Sequence, residues 1–100
     1  MLLSEIQSTD FVPCLHQTFR ICLEGLDPID LELVEVQELG EPQGPSPRRP
    51  FALHFLGPVS HQYLVQHIYP LEHEQLGVLE IFLVPLGPQE GRMQYEAIFT

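Results

Sequence analysis

Gln17-Thr18-Phe19-Arg20-Ile21-Cys22-Leu23-Glu24 sends Gln17, Phe19, Ile21 and Leu23 one way and Thr18, Arg20, Cys22 and Glu24 the other. A side-chain period of two is the signature of a half-buried β-strand and is incompatible with the 3.6-residue period of a helix. The next six residues, Gly25 to Asp30 (GLDPID), form a turn in which Pro28 presets φ. A second strand follows from Leu31 to Leu39, and its phase slips: Leu31 and Leu33 share a face, then Val34 and Val36 take the opposite parity. Either both faces are partly covered or a β-bulge sits near Leu33-Val34, and the bulge is the preferred reading because small barrels use it to turn corners. Ahead of the first strand, Ser8-Thr9-Asp10 precedes Phe11-Val12-Pro13-Cys14-Leu15 and predicts a capped helical turn. Phe11 and Leu15 fall on one face of that turn, placed to plug the end of a sheet or barrel.

Downstream, Gly40 to Pro50 (GEPQGPSPRRP) holds four of the ten prolines and two of the seven glycines, which predicts an exposed, partly polyproline-like loop. Phe51, Leu53 and Phe55 give a third strand, predicted to end at Gly57-Pro58. Val59 to Gln66 reads as a short helix or irregular crossover, because Ser60, His61 and Gln62 break the alternation. Ile68 to His73 is a short fourth strand, and Pro70 demotes it to an edge or bulged position. Val78 to Leu86 (VLEIFLVPL) is the most apolar stretch, predicted to be central and covered on both faces until Pro85 ends its pairing. Gly87 to Arg92 is a hairpin loop, and Met93, Tyr95, Ala97 and Phe99 line the final strand. The chain is thus expected to be one all-β domain over residues 1–100. It should form a five- to six-stranded antiparallel meander, as a small barrel or curled sheet, with a short N-terminal helical turn. The inward set is Phe19, Ile21, Leu23, Leu31, Leu33, Phe51, Leu53, Phe55, Leu79, Ile81, Leu83, Tyr95, Ala97 and Phe99.

Composition narrows the function. There are 14 acids against four arginines, no lysine, and a formal charge of −10. Such a field repels nucleic acid, which a binder must meet with cations, and disfavours anionic membrane surfaces. The first residues carry no basic region and no continuous apolar run, so no secretory signal is expected, and no stretch has the length to span a bilayer as a helix. Cys14 and Cys22 are too few for a disulfide scaffold and are expected as reduced thiols in a cytoplasmic protein.

Candidate chemistry is thin. The histidines offer no H-x-H pair and the chain no C-x-x-C, so neither a metal nor a cofactor site is expected and the histidines read as surface or turn-capping residues. Cys14 and His16, two apart on a helical turn, do not face each other as a thiol and its base would. Glu32, Glu35, Glu38, Glu72, Glu80 and Glu96 alternate with apolar residues, as the solvated face of a strand does. No glycine-rich phosphate loop exists. Two surface candidates remain for partner binding: the cationic pair Arg48-Arg49 at the end of the proline-rich loop, and the apolar Tyr63-Leu64-Val65 in the crossover.

Several stretches together carry a resemblance. They are Phe11-x3-Leu15-x-Gln17-Thr18-Phe19, Leu31-x-Leu33-Val34-Glu35-Val36, Pro50-Phe51-x-Leu53-x-Phe55-x-Gly57-Pro58 and Tyr69-x-Leu71-Glu72-His73. Leu76-Gly77-x-Leu79, Phe82-Leu83-Val84-Pro85 and Tyr95-Glu96-Ala97-Ile98-Phe99 complete the set. Over nearly its whole length the chain resembles a family of small bacterial proteins catalogued as a domain of unknown function. That resemblance carries no catalytic or binding residues; it implies a shared framework and an assembly or accessory role beside a phage-tail-like fibre system. The leading expectation is a non-catalytic interaction or assembly module with a protein partner or self-association. The alternatives are a small-molecule-binding β-barrel and, third, an enzyme or metal protein centred on the histidines.

Overall fold

The computed structural model describes residues 5–41, 48–59 and 63–100. The predicted Pro-rich loop therefore falls partly, and the start of the crossover partly, outside the described residues. A single helical turn, α1 (Ser8–Phe11), runs into a 3-10 turn at Val12–Cys14, with Pro13 in the first positions where its missing N–H leaves nothing unpaired. The Asp10 carboxylate accepts from the Gln7 N–H at 2.8 Å and fastens the start. Six strands follow: β1 (Thr18–Ile21), β2 (Ile29–Glu38), β3 (Phe51–Val59), β4 (His67–His73), β5 (Gly77–Gln89) and β6 (Arg92–Phe99). They close a barrel in the order β1-β2-β3-β6-β5-β4, with every neighbouring pair antiparallel. Each half is a three-stranded meander; β3 lies against β6 and β1 against β4.

Local chemistry explains the departures from plain alternation. The phase slip in β2 is a bulge: Leu33 pairs Phe55 and Glu35 pairs His54, leaving Val34 opposite no residue. The β5–β6 connection turns on Glu90 and Gly91, both at positive φ (51° and 81°), as a two-residue hairpin of matching twist requires. Gly57-Pro58 does not end β3, contrary to the sequence expectation. The register shifts between Leu56 and Val59, so Pro58 needs no ladder partner, and a Cβ on Gly57 would sit 3.3 Å from the Tyr95 ring. Pro85 does not end β5 either: it lies opposite Tyr95, and a shift between Pro85 and Gly87 absorbs the irregularity. Pro70 sits in the half of β4 that only β5 pairs, because β1 reaches no further than Leu71 and Glu72.

All fourteen residues of the inward set pack into the core, with Leu23 at its margin. Ile6, Phe11, Cys14, Tyr69 and Leu71 complete it. Phe11 closes the end of the barrel where β3 begins and β6 finishes. Its ring lies 6.3 Å from Phe19, 5.9 Å from Phe51 and 5.8 Å from Phe99. At the other end, Leu64 packs on the core while the Tyr95 hydroxyl accepts its N–H at 2.8 Å. The Tyr69 hydroxyl donates to the Val65 carbonyl at 2.7 Å. Two tyrosines thus tie the crossover over the opposite mouth.

Since Phe11 is fully buried against three rings, Phe11→Ala removes the plug and leaves a cavity that the closed strands cannot collapse into. The expected loss is about 3–5 kcal/mol of unfolding free energy by urea titration.

Candidate docking surface

A barrel abolishes strand edges only where its ladders are continuous. Here two ladders stop short, β1–β4 after Arg20↔Glu72 and Ile21↔Leu71 and β5–β6 at Val84. The Cα partners of β5 and β6 run from Gln89↔Arg92 to Val84↔Glu96, and no pair is formed beyond Val84. Gly77 to Leu83 pair with β4 alone, and Ala97 to Phe99 with β3 alone. The two strands therefore part below Val84 and Glu96 and leave a seam. A groove of about 480 Å³ runs along it, lined by Glu80, Ile81 and Phe82 on one side and by Ala97, Ile98, Phe99 and Thr100 on the other. Its floor includes the core residues Ile81 and Ala97; its rim carries Phe82 (47% exposed), Ile98 (58%) and, across the β4 register, Ile68 (53%). Backbone ladder groups and exposed apolar side chains occur together at this place.

The upper limit of the seam is held by a charged bridge. His54 of β3 lies between Glu35 of β2 and Glu96 of β6 in register. Its Nδ1 is 2.6 Å from a Glu35 carboxylate oxygen and its Nε2 is 2.9 Å from one of Glu96. The imidazole is only 8% exposed although it points outward from the barrel. Burial alone would lower its pKa, but the hydrogen bonds that its ring N–H groups donate to Glu96 and Glu35 outweigh that and hold it above the ordinary 6.5. The alternation placed Glu35 and Glu96 on the outward face, where they lie, and the histidines on the surface; His54 is instead buried between those two carboxylates.

The residues singled out from sequence lie at opposite ends of the barrel. Arg48 stands at the foot of the groove. Its Nη2 donates to the Thr100 main-chain oxygen at 2.6 Å and its Nη1 to the Ile6 carbonyl at 2.9 Å, with the guanidinium over the Phe51 and Phe99 rings. Arg49 pairs with Glu41 at 3.5 Å, both exposed. Tyr63 and Val65 are exposed beside the other mouth, where a cavity of about 230 Å³ is lined by Leu26, Pro58, Tyr63 and Met93 among others. The structure does not bring the two sets together. The signal for the seam was in VLEIFLVPL itself: its apolar residues of outward parity are not under a second layer but face solvent, Val78 and Phe82 among them.

Cys14 is buried, and burial, with Asp10 nearby, pushes its thiol up; Cys22 is exposed. His73 Nε2–H donates to the Gln17 Oε1 at 2.7 Å, while its Nδ1 accepts from the Gln75 and Leu76 N–H groups, capping the β4–β5 turn. Among the described residues no group of three or more His, Cys, Asp or Glu is arranged to hold a metal ion, and no helix is long and apolar enough to cross a membrane. A family model described as Domain of unknown function (DUF6916) matches residues 6–99. No curated protein and no solved structure matches the chain.

Two outcomes follow from these environments. His54 has a raised folded pKa, so its contribution to stability is complete below about pH 6.5, above the carboxylate range, and is lost as pH rises through the folded value. The urea midpoint should therefore fall on going from about pH 6 to about pH 9, and His54→Gln should flatten that fall. A thiol-reactive dye should label Cys22 at once in the native protein and Cys14 only on unfolding; equal rates would place Cys14 outside the core.

Proposed function

We propose that this chain, which belongs to the DUF6916 family of domains of unknown function, is a non-catalytic protein-interaction module. Its docking surface is the β5–β6 seam. The observation that carries this is the coincidence of an open ladder on both sides of one groove with a rim of exposed Ile68, Phe82 and Ile98. Open ladder groups are a template for an added strand, and exposed apolar side chains beside them supply the contact area that makes addition favourable.

Further features support the non-catalytic side. Both ring nitrogens of His54 are held by carboxylates, and the thiol of Cys14 is buried with its pKa raised, the opposite of an activated nucleophile. The barrel-mouth cavity of about 230 Å³ is smaller than the roughly 300 Å³ from which ligand pockets begin, so a small-molecule role gains no support there. An accessory role beside a phage-tail-like fibre system, implied by the family resemblance, is one setting in which such a module works.

A photo-crosslinking residue at position 82 or 98, compared with one at position 26 on the far mouth, tests the assignment. Discrete products are expected from 82 and 98. Unlabelled wild-type protein should displace them and unlabelled Ile98→Glu should not, while Ile98→Glu itself stays folded because the side chain is exposed. Products confined to position 26 would move the interaction to the crossover and overturn the proposal.

A further inference from the structure

The seam has a defined shape and a defined field, and together they specify its occupant. Resting on the docking role above, we infer that the segment it takes is an extended, basic strand of a partner protein that lies antiparallel to β5.

Geometry gives the strand. The free edge of β5 runs from Gly77 to Leu83, seven residues, or about 23 Å of extended chain. The facing edge of β6 is three residues, Ala97 to Phe99. Because β5 and β6 are antiparallel to each other, a segment seated between them is antiparallel to one and parallel to the other. The longer edge and the more stable antiparallel ladder coincide on β5. Side chains of the added strand alternate: one set meets the apolar floor of Ile81 and Ala97, the other emerges beside Phe82 and Ile98.

Electrostatics gives the sign. Glu80, on the outward row of β5, lines the groove, Glu96 stands at the fork beside His54, and Arg48 at the foot is already turned to Ile6 and Thr100. All four arginines of the chain are engaged within it: Arg20 with Asp30, Arg49 with Glu41, Arg92 with Glu32 and the Gly57 carbonyl, and Arg48 with Ile6 and Thr100. The net charge of −10 is therefore presented outward with little relief. Two copies bring two such fields together and repel; a lysine- or arginine-bearing strand is drawn in and held in register by Glu80. A second copy is disfavoured on the same ground.

The test uses the full chain, isotopically labelled, and three capped octapeptides of alternating sequence: Val-Lys, Val-Ser and Val-Glu. Amide shifts are followed at 77–83 and 97–100 at low and at physiological salt. The expected result is binding of Val-Lys at those amides, weakened by salt, with Val-Ser weaker and Val-Glu inactive. Glu80→Gln should lower Val-Lys affinity about two- to fivefold and leave Val-Ser unchanged, as loss of one rim charge pair predicts. A block peptide of four valines followed by four lysines should not reproduce the localised shifts. If Val-Ser or Val-Glu binds the seam as well as Val-Lys, or if the seam amides shift with protein concentration alone, the basic occupant is wrong and the docking surface stands. If no peptide and no second copy moves those amides, or if Val-Lys shifts spread evenly over all acidic residues, the docking surface itself is wrong.

Discussion

Thirteen residues of β5 serve two neighbours in succession. Gly77 to Leu83 complete the sheet with β4, and Val84 to Gln89 complete it with β6. A strand that hands over in this way closes a barrel without needing either neighbour to match its length, but at the handover the ladder on one side must stop before the barrel end is reached. The seam is a consequence of that closure. The bulge at Pro85–Gly87 bends β5 through the handover, and the Glu35–His54–Glu96 bridge fixes β2, β3 and β6 beside the fork. Phe11 and Arg48 then close the end below: the ring fills the barrel, and the guanidinium ties Ile6 and Thr100 across the Phe51–Phe99 stack, whose rings lie 4.7 Å apart.

Much of this architecture was legible in the sequence because it rests on local side-chain parity. Phe19, Ile21 and Leu23 show one buried face with no need of tertiary information, and the slip from Leu33 to Val34 marks the bulge where the register shifts. What parity does not carry is how long a ladder persists. Gly57-Pro58 and Pro85 were expected to terminate strands, since proline cannot donate to a ladder. In the fold each proline coincides with a register shift, where the partner strand makes no demand on its nitrogen. Punctuation in a β-protein marks irregular pairing as readily as its end.

The docking surface was less legible, for a related reason. Its apolar rim comes from Ile68, Phe82 and Ile98, which sit on three strands and share nothing in sequence. The continuous apolarity of VLEIFLVPL was visible, yet two buried faces and one buried plus one sticky face have the same hydropathy. Only the strand order tells them apart. Arg48 and Arg49 were noticed for their charge, and Tyr63, Leu64 and Val65 for their apolarity; in the structure Arg48 straps the lower end, Arg49 pairs with Glu41 in solvent, and Leu64 plugs the upper end. His54 was hidden because its meaning lies in Glu35 and Glu96, 19 and 42 residues away.

Charge and topology converge on the same surface. A chain with 14 acids and four arginines has few cations with which to relieve its own field, and here those few are turned to fastening carbonyls and individual carboxylates. His54 sits between two carboxylates that raise its pKa and so favour its positively charged form. Repulsion among the remaining acids works against the compact state and against self-association alike. It is offset by a core closed at one end by Phe11 and at the other by Leu64. Among the described residues the seam is the longest stretch of unpaired ladder beside exposed apolar surface, and in such a field it discriminates. An acidic or neutral strand finds the same hydrogen-bond template without the attraction, and a basic one finds both.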